Sequence, residues 1–312
     1  MLKMAKVGVL LAAYNGEAWI GEQVQSILGQ KGVETLLKIR DDASSDSTVA
    51  CIKAQFMSNP RVELEVASKS SGSAGGNFRQ LILDFDSSNV DYVAFSDQDD
   101  VWFENKLANA VECLNLSSYD GYSASVLPWD GNKKVGRGFF QSSSLKELDF
   151  IFEGAGQGCT FVLTRQAFIK IQKLVEGNRS LCDDMHFHDW LVYVLVRAWG
   201  GRWFFDSRVT MFYRQHATND IGSRVGMKGI SKRLSLLRSG WYSRQCLAAA
   251  AVYSAVALER SSSFSIAYEL LRDRMERSLR ESVQLAMLVA RQGRRKIGDR
   301  LILVGASIFR WI

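Results

Sequence analysis

DYVAFSDQDD, residues 91–100, divides into an apolar half and an acidic half. The first half is short and rich in aromatic and β-branched residues, which is typical of a buried strand. The second half supplies Asp97, Asp99 and Asp100 at the point where that strand would end. In an open α/β sheet, ligands bind outside the carboxyl ends of the strands. This stretch therefore predicts both a sheet and the edge of it that carries a binding site.

The residues upstream repeat the same apolar pattern. Predicted strands lie at 6–13 (KVGVLLAA), 36–40 and 62–66. Predicted helices follow them at 17–28, at 47–56 with Asp46 as a candidate cap, and at 77–85 after a glycine–serine turn at 72–76. This alternation predicts an α/β fold, a mostly parallel central sheet flanked by helices and joined by right-handed crossovers.

Beyond residue 100 the pattern is less regular. We predict a short helix at 145–152, a flexible loop at 154–158, a strand at 159–163, a helix at 186–199 and one or two strands within 201–213. From Lys228 onward the sequence predicts an almost wholly helical region. Its predicted apolar stripe consists of Leu270, Met275, Leu279, Val283 and Ala286. We therefore expect an α/β domain over 1–222, a loop hinge near Gly222, and a basic helical region over 223–312.

Composition narrows the class of protein. The chain has 312 residues, 47% of them hydrophobic and 23% charged, which excludes a disordered protein. The five scattered cysteines form no Cys-x-x-Cys pair, so neither a thiolate zinc site nor a disulfide framework is expected, and a reducing compartment fits best. The apolar run at 7–13 predicts a buried strand rather than a signal peptide, and no apolar stretch reaches the roughly 18–20 residues that span a bilayer.

Charge is distributed unevenly along the chain. Residues 221–312 carry a net charge of +11, whereas residues 1–220 carry −5. This asymmetry predicts an anionic partner for the basic region, such as membrane headgroups, nucleic acid or a polyphosphate. The alternative is a solvated helical face.

Three predicted strands deliver polar side chains to one sheet edge, namely Tyr14-Asn15, Asp41-Asp42 and the acids of 97–100. Carboxylates this close repel one another unless a cation or hydrogen-bond donors neutralise them. Asp97-x-Asp99 offers oxygen ligands that suit Mg²⁺ or Mn²⁺ with a bound diphosphate. For Asp41 and Asp100, helix capping is the alternative role.

Other polar residues carry more than one interpretation. Asp42 can accept a hydrogen bond from the imide N–H of uracil or thymine, and guanine N1–H stays an alternative. Asp189 lies near the start of a predicted helix, where it is either stabilised by the helix dipole or acts as a general base. His216 follows a predicted strand, where a lone histidine is more often structural. Neither a G-x-G-x-x-G fingerprint after the first strand nor a P-loop is present, which disfavours a Rossmann dehydrogenase and a P-loop enzyme.

Taken as an ordered set, these motifs resemble inverting glycosyltransferases of family 2, which have the GT-A fold, and more narrowly bacterial rhamnosyltransferases of that family. The resemblance covers roughly residues 5–222. The matching segments are LAAYNG (11–16), RDDASSDST (40–48), FSDQDDVW (95–102) with NKL (105–107), GQGCT (156–160), HDW (188–190) and YRQH (213–216). Two departures are Ala43, where relatives usually have glycine, and a single tryptophan after Asp189, where close relatives often have two aromatic residues.

The resemblance implies a role for each matching position. Asp189 is the implied catalytic base, and the implied metal ligands are Asp97, Asp99 and His216. Implied nucleotide-binding residues are Ala13, Tyr14, Asn15, Asp42, Asn77, Asp97 and Gln98. The implied pocket for the donor and acceptor sugars contains Asp100, Trp102, Lys106, Gln157, Gly158, Cys159, His188 and Trp190.

The expected function is a metal-dependent inverting glycosyl transfer that uses Mn²⁺ or Mg²⁺. The favoured donor is dTDP-L-rhamnose, and the expected acceptor is a glycan or a lipid-linked glycan in bacterial cell-surface polysaccharide synthesis, such as lipopolysaccharide O-antigen. Alternatives are a UDP- or GDP-hexose donor and, more remotely, a nucleotidyltransferase or a non-catalytic polysaccharide-assembly protein. We expect no nucleic-acid partner. We also expect a cytoplasmic protein, peripheral on the cytoplasmic face of the inner membrane through its basic region, with homo-oligomerisation as a further possibility for that region.

Overall fold

The computed structural model describes residues 4–116, 118–135, 138–140, 145–216 and 235–312. The predicted hinge at Gly222, the expected domain boundary after it and the predicted helix start at Lys228 lie outside the described residues.

The first hundred residues alternate strictly between strands and helices, as predicted. These elements are β1 (Ala5–Ala13), α1 (Ile20–Leu28), β2 (Val33–Asp41), α2 (Thr48–Phe56), β3 (Val62–Val66), α3 (Ala74–Asp84) and β4 (Tyr92–Asp97). The predicted boundaries differ from these by up to three residues. Helix α3 begins early because the Ser73 side chain accepts a hydrogen bond from the Gly76 N–H and caps it.

The following residues contain more structure than the sequence predicted. The elements are β5 (Val101–Trp102), α4 (Lys106–Leu116), β6 (Gly121–Trp129), α5 (Asp149–Phe152), a 3₁₀ turn (Gly158–Thr160), β7 (Val162–Thr164), α6 (Arg165–Gly177), α7 (Arg179–Asp183), α8 (His188–Ala198) and β8 (Trp203–Arg214). Five of these, β5, α4, β6, α6 and α7, were not predicted. The predicted helix at 145–152 is wrong except for its last turn.

The predicted strand at 159–163 is also wrong in its first half. Thr160 and Phe161 donate their N–H groups back to the carbonyls of Gln157 and Gly158, which closes a tight 3₁₀ turn before β7 begins. The single long strand β8 covers most of the region where one or two strands were expected.

The eight strands within the described residues join one mixed sheet in the order β3-β2-β1-β4-β7-β6-β8-β5. The strands from β3 to β4 are parallel, and β7 runs antiparallel to β4. In this register Ala13 lies opposite Asp41, and Ala12 lies opposite Asp97. The three predicted strand ends therefore meet at one edge, as the sequence predicted.

After a helical segment at 235–238, the described C-terminal region contains the helices α9 (Trp241–Val256), α10 (Ser262–Arg272), α11 (Leu279–Gln292) and α12 (Ile297–Ile308). Helix α9 packs against α8 and shares its hydrophobic core, to which Cys246, Ala249 and Val252 contribute beside Leu191. One side of this helical region is thus buried against the α/β part. None of the described helices combines the length and apolar character that a bilayer-spanning segment needs.

The predicted apolar stripe of this region is not one continuous buried face. Ser278 starts a new helix with a capping box to Glu281, which separates Leu270 from Leu279. Leu270 is buried, whereas Met275 and Leu279 are 73% and 66% exposed. The stripe prediction is therefore wrong, because a helix boundary divides it: Met275, Leu279 and Val283 are exposed, whereas Leu270 and Ala286 are buried.

Candidate active site

Gln98 ties the loop after β4 to the loop after β1. The Tyr14 N–H donates to Gln98 Oε1, and the Gln98 amide donates to the Tyr14 carbonyl, both at 2.8 Å. The Tyr14 side chain remains 51% exposed, which leaves an aromatic face beside the strand ends. Asn15, with a left-handed φ of 48°, accepts a hydrogen bond from the Ser45 N–H and so fixes the loop after β2.

Asp42 is buried, and its carboxylate is fully engaged by its own chain. It accepts hydrogen bonds from the Ser71 N–H, from the hydroxyls of Ser70 and Ser71, and from the Arg40 guanidinium, all at 2.8–2.9 Å. Burial alone would raise the pKa of Asp42, but these donors outweigh it and lower the pKa below its usual value. The Asp42 carboxylate is an anion surrounded by hydrogen-bond donors. The imide N–H of a nucleotide base could therefore bind it only beside the 70–71 segment or by displacing that segment.

Asn77 lies behind this pocket and joins the first two strands. Its amide donates to the carbonyls of Ala13 and Arg40, at 3.2 and 3.1 Å, and its oxygen accepts from the Arg40 guanidinium. Because Asn77 is buried, its observed role is to hold the strand ends from which Tyr14 and Asp42 project.

The three acids after β4 are held in two groups. Asp97 and Asp100 lie with Cys159 so that one ligand atom of each is within 4.8 Å of the others. The Asp99 carboxylate lies 2.5 Å from His216 Nε2, and the His216 ring stacks on Trp19 at 4.2 Å between centroids. The structure therefore brings the predicted pair Asp99 and His216 into direct contact.

The environment of Asp100 disfavours its anionic form. It is fully buried, one oxygen accepts from the Arg214 N–H at 3.1 Å, and the other has no hydrogen-bond partner in the described structure. Burial first, and then the neighbouring Asp99 and Asp97, raise the pKa of Asp100 well above its usual value. A buried carboxylate oxygen without a hydrogen-bond partner, next to two further acids, would be stabilised by a nearby positive charge.

A hard divalent cation fits this donor set. Carboxylate oxygens and an imidazole are ligands that Mg²⁺ and Mn²⁺ accept. Cys159 does not add a thiolate, because burial and the nearby Asp100 raise the pKa of its thiol well above the ordinary value. Asp97, Asp99 and His216 are the residues that would hold the cation according to the sequence, but the structure places Asp97 with Asp100 and Asp99 with His216, so this ligand set stays a prediction.

Trp102 and Lys106 form a buried support beneath the acids. The Lys106 ammonium lies 3.7 Å from the centroid of the Trp102 ring, and both side chains are almost completely buried. Burial lowers the pKa of Lys106 to about 7. Both residues were expected in the sugar pocket, and the structure places them below its surface.

The start of α8 brings Asp189 to the same site through the 3₁₀ turn. A Cβ atom on Gly158 would lie 2.9 Å from Asp189 Cβ and 2.5 Å from His188 Nε2, so only glycine fits there. Gly158 precedes Cys159, which belongs to the acidic group, and Gln157 closes the same turn with its carbonyl. Asp189 is partly exposed, and its carboxylate accepts the Trp190 N–H at 2.6 Å.

The two neighbours of Asp189 face the interior. The His188 ring stacks on Phe78 at 3.7 Å, and burial lowers the pKa of His188 to about 3, so its imidazole is neutral. The Trp190 indole is buried and donates to the Phe150 carbonyl at 2.7 Å. These residues, also expected in the sugar pocket, hold the helix start from behind.

Sequence reasoning missed several residues that build the site. Arg214 donates its backbone N–H to Asp100 and its guanidinium to the Asp99 carbonyl and to Glu22, which fixes the acidic loop. Its position inside the YRQH segment was the available indication. No motif indicated Ser70 and Ser71 on Asp42, or Trp19 under His216, because these contacts join segments that are far apart in the sequence.

Comparison with known proteins agrees with this geometry. The family model for glycosyl transferase family 2 matches residues 8–171. The dTDP-rhamnosyl transferase RfbG of Shigella flexneri is 37% identical over 238 residues, which is 75% of this chain and 81% of RfbG. The UDP-Glc:alpha-D-GlcNAc-diphosphoundecaprenol beta-1,3-glucosyltransferase WfgD of Escherichia coli is 28% identical over 51% of this chain and 60% of WfgD.

Solved structures show the same fold at low sequence identity. TarS residues 1–349 of S. aureus, in complex with UDP-GlcNAc, has a TM-score of 0.58 and 14% identity, covering 98% of this chain and 89% of that one. The mannosyltransferase PcManGT of Pyrobaculum calidifontis, in complex with GDP-Man and Mn²⁺, has a TM-score of 0.51 and 14% identity, covering 99% and 88%. The predicted GT-A class of α/β fold is confirmed. The chain belongs to glycosyl transferase family 2 and is a glycosyltransferase.

Proposed function

We propose that the protein is a divalent-cation-dependent, inverting rhamnosyltransferase. In this proposal it transfers L-rhamnose from dTDP-L-rhamnose to a glycan or lipid-linked acceptor in cell-surface polysaccharide synthesis. The single observation that supports this chemistry is the position of the 3₁₀ turn between the two parts of the site. Its Cys159 lies with Asp97 and Asp100 at the strand edge, and its Gly158 packs against Asp189. The donor rests on the identity with RfbG over most of both chains.

The donor half of the site lies at the ends of β1, β2 and β4. The exposed face of Tyr14 is available to stack on a base, and Asp42 is the anion that would accept the imide N–H of thymine. A bound Mn²⁺ or Mg²⁺ would offset the negative charge that grows on the departing diphosphate. Asp97, Asp99 and His216 would hold that cation, and Arg214 keeps the acidic loop in place.

The acceptor half lies at the start of α8. Asp189 takes the proton from the attacking hydroxyl of the acceptor, and that hydroxyl oxygen forms its bond to the anomeric carbon as the bond to the diphosphate breaks. One displacement inverts the anomeric configuration, so a second nucleophilic side chain is not required. Because Gly158 has no side chain, the turn can pack closely against Asp189, which places the sugar donor and the acceptor hydroxyl next to each other.

A hexose donor is the second candidate. WfgD, which is named as using UDP-Glc, is similar to about half of this chain, and Asp42 would accept the N3–H of uracil as readily as that of thymine. Calorimetric titration with dTDP, UDP and GDP, each with Mn²⁺, separates the candidates. We expect dTDP to bind most tightly and to raise the melting temperature most at equal concentration. Tighter binding of UDP or GDP would contradict the rhamnose donor and favour a hexose donor.

Transfer from dTDP-rhamnose to a cell-derived lipid-linked acceptor tests the reaction itself. Asp189→Asn should lower turnover by a factor on the order of 10²–10⁴, the usual contribution of a general base, while the affinity for dTDP and Mn²⁺ stays unchanged. Loss of dTDP affinity with turnover intact would show that Asp189 belongs to the donor half instead.

We propose that the C-terminal helices attach the enzyme to the cytoplasmic face of the inner membrane. The exposed apolar residues of α12 and of the position directly after it are Ile297, Leu301, Ile302, Ile308 and Phe309. Basic residues lie between and beside them, at Lys296, Arg300 and Arg310. A basic residue near an anionic surface contributes roughly 1 kcal/mol, and apolar side chains add burial without spanning the bilayer.

Flotation with anionic vesicles tests this attachment. The wild type should float at low salt and less at high salt, and the double variant Leu301→Glu with Ile302→Glu should remain in the soluble fraction. Leu116→Glu, at an equally exposed leucine on α4, is the matched control and should float as the wild type does. If the wild type stays soluble but elutes as a dimer that the double variant breaks, the surface is an oligomer interface.

A further inference from the structure

We infer that Arg295 is a positioning residue for Asp189, because it clamps the loop against which the start of α8 packs. Arg295 lies between α11 and α12, far beyond the residues that match the family model. The inference rests on the proposed role of Asp189 as the base. It assigns the C-terminal region a part in the reaction in addition to attachment.

Arg295 is 8% exposed and contacts the loop after α5 with both its backbone and its side chain. Its N–H donates to Glu153 Oε1 at 2.5 Å, and its guanidinium donates to the Gly154 carbonyl at 2.7 Å. The guanidinium also lies 4.6 Å from the centroid of the Phe205 ring, which closes it off on one side. A planar guanidinium can make these contacts at once, whereas a lysine ammonium cannot.

A buried carboxylate completes the clamp from the other side. Asp149, in α5, is fully buried and pairs with Arg295 at 3.2 Å and with Arg197 of α8 at 2.5 Å. The Tyr193 hydroxyl, also on α8, donates to the same carboxylate at 3.0 Å. Three segments that are distant in sequence are therefore joined at one buried charge.

The loop that Arg295 holds is in direct contact with the start of α8. A Cβ atom on Gly154 would lie 3.2 Å from the Trp190 Cα atom, so the loop backbone packs against the residue after Asp189. The Phe150 carbonyl accepts the Trp190 indole N–H from the same side. Release of the loop would therefore let the first turn of α8 shift, and Asp189 would shift with it.

Residues next to Arg295 make further hydrogen bonds to the same segment. The Arg294 guanidinium donates to the Phe152 carbonyl at 2.9 Å, and the Leu148 N–H donates to the Gln292 carbonyl at 3.0 Å. The segment 292–295 thus runs along the segment 148–154 over its whole length. Charge-assisted hydrogen bonds in such a buried setting are the strong ones, and they fix orientation as well as contact.

The test compares Arg295→Ala and Arg295→Lys with the wild type, and uses Arg272→Ala, an exposed arginine of the same region, as the matched control. Hydrogen exchange should accelerate in segments 150–158 and 187–191 of both Arg295 variants and stay unchanged in β1 to β4. Turnover should fall about 10-fold to 100-fold, since a displacement near 1 Å can cost that much, while the affinity for dTDP with Mn²⁺ changes less than about twofold.

A double variant separates positioning from general loosening. If Arg295 acts through Asp189, then Arg295→Ala in an Asp189→Asn background should lower turnover by less than about threefold further, because the two effects are not additive. Full additivity overturns the inference, and so does unchanged exchange at 187–191. If Arg295→Ala fails to fold, Arg295→Lys carries the same comparisons. If the wild type transfers no sugar, the proposed function fails, whereas the exchange data still decide whether the clamp exists.

Discussion

The acids that follow β4 and the aspartate that begins α8 belong to one site, but they are held in place in different ways. Asp97, Asp99 and Asp100 lie at the end of a strand that pairs in parallel register with β1, and short contacts to Arg214 and His216 complete their placement. Asp189 depends on a glycine turn, on the segment 150–157 and, as inferred above, on an arginine about a hundred residues later in the chain.

This difference teaches which parts of such a site tolerate change. A strand end is positioned by backbone hydrogen bonds that every residue type can make, so its chemistry depends on the side chains alone. A helix start that rests on loops depends on shape and on buried charge. We therefore expect donor-side substitutions to alter ligand binding, and substitutions near α8 to alter turnover and stability.

The largest effect is expected for Asp99→Ala. Loss of the carboxylate that contacts His216 removes one proposed cation ligand and leaves that imidazole without its anionic partner. Transfer should fall to background, and the Mn²⁺-dependent part of dTDP binding should disappear in calorimetry. Removal of the metal with EDTA should reproduce the loss in the wild type. Unchanged metal-dependent affinity would mean that the cation is held by Asp97 and Asp100 without Asp99.

Asp149→Ala should have the largest effect on the α8 side, and mainly on stability. It leaves two arginines without their buried partner, and breaking a buried pair in this way costs about 3–5 kcal/mol. Urea unfolding measures this loss. The control is Asp273→Ala, which removes an exposed ion pair with Arg272 and should cost no more than about 1 kcal/mol. Equal losses in the two variants would remove the contrast between the two sides of the site.

Gly158→Ala tests whether the start of α8 affects turnover more than donor binding. The added methyl group would press on His188 and on Asp189, so we expect turnover to fall roughly 10-fold to 100-fold with dTDP affinity nearly unchanged. Gly177→Ala is the control, since a Cβ atom there meets no heavy atom within 4 Å. Initial rates at saturating donor would expose the difference. A variant that kept full turnover would show that the turn adapts.

The smallest effect is expected for Ser70→Ala. Its hydroxyl bonds the Asp42 carboxylate at 2.8 Å and so competes with an incoming base. A single hydrogen bond contributes about 0.5–1.5 kcal/mol, so dTDP should bind a few-fold more tightly in calorimetry. Ser88→Ala, whose hydroxyl bonds Asp86 on an exposed loop, should leave affinity unchanged. Weaker binding in Ser70→Ala would instead make this hydroxyl part of the base contact.

Sequence patterns alone were enough to predict the first half of the sheet and the acids at its edge. The apolar run at 91–95 and the acids after it needed only their order in the chain, because consecutive parallel strands of such a sheet end at one edge. The family was recognisable for a related reason, since its motifs are short and most of them lie at strand ends, with GQGCT in the 3₁₀ turn and HDW at the start of α8. No prediction covered β5, α4, β6, α6 or α7. Strand β6 is buried along most of its length, so its residues do not alternate, whereas the buried residues of α4 and α6 do follow helical spacing.

Only the tertiary structure decided what holds Asp189 and what surrounds Asp42. Arg295 and Asp149 are separated by more than a hundred residues, and neither lies in a motif, so their pairing follows from how α8, α5 and the C-terminal segment pack. Trp102, Lys106 and Trp190 were expected to line the sugar pocket, but packing buries them as its support. The physical reason is the separation along the sequence of the residues that interact. Periodicity and strand ends depend on residues that are close in sequence. Burial, close packing and charge pairing depend on residues that are distant in sequence and that only folding brings together.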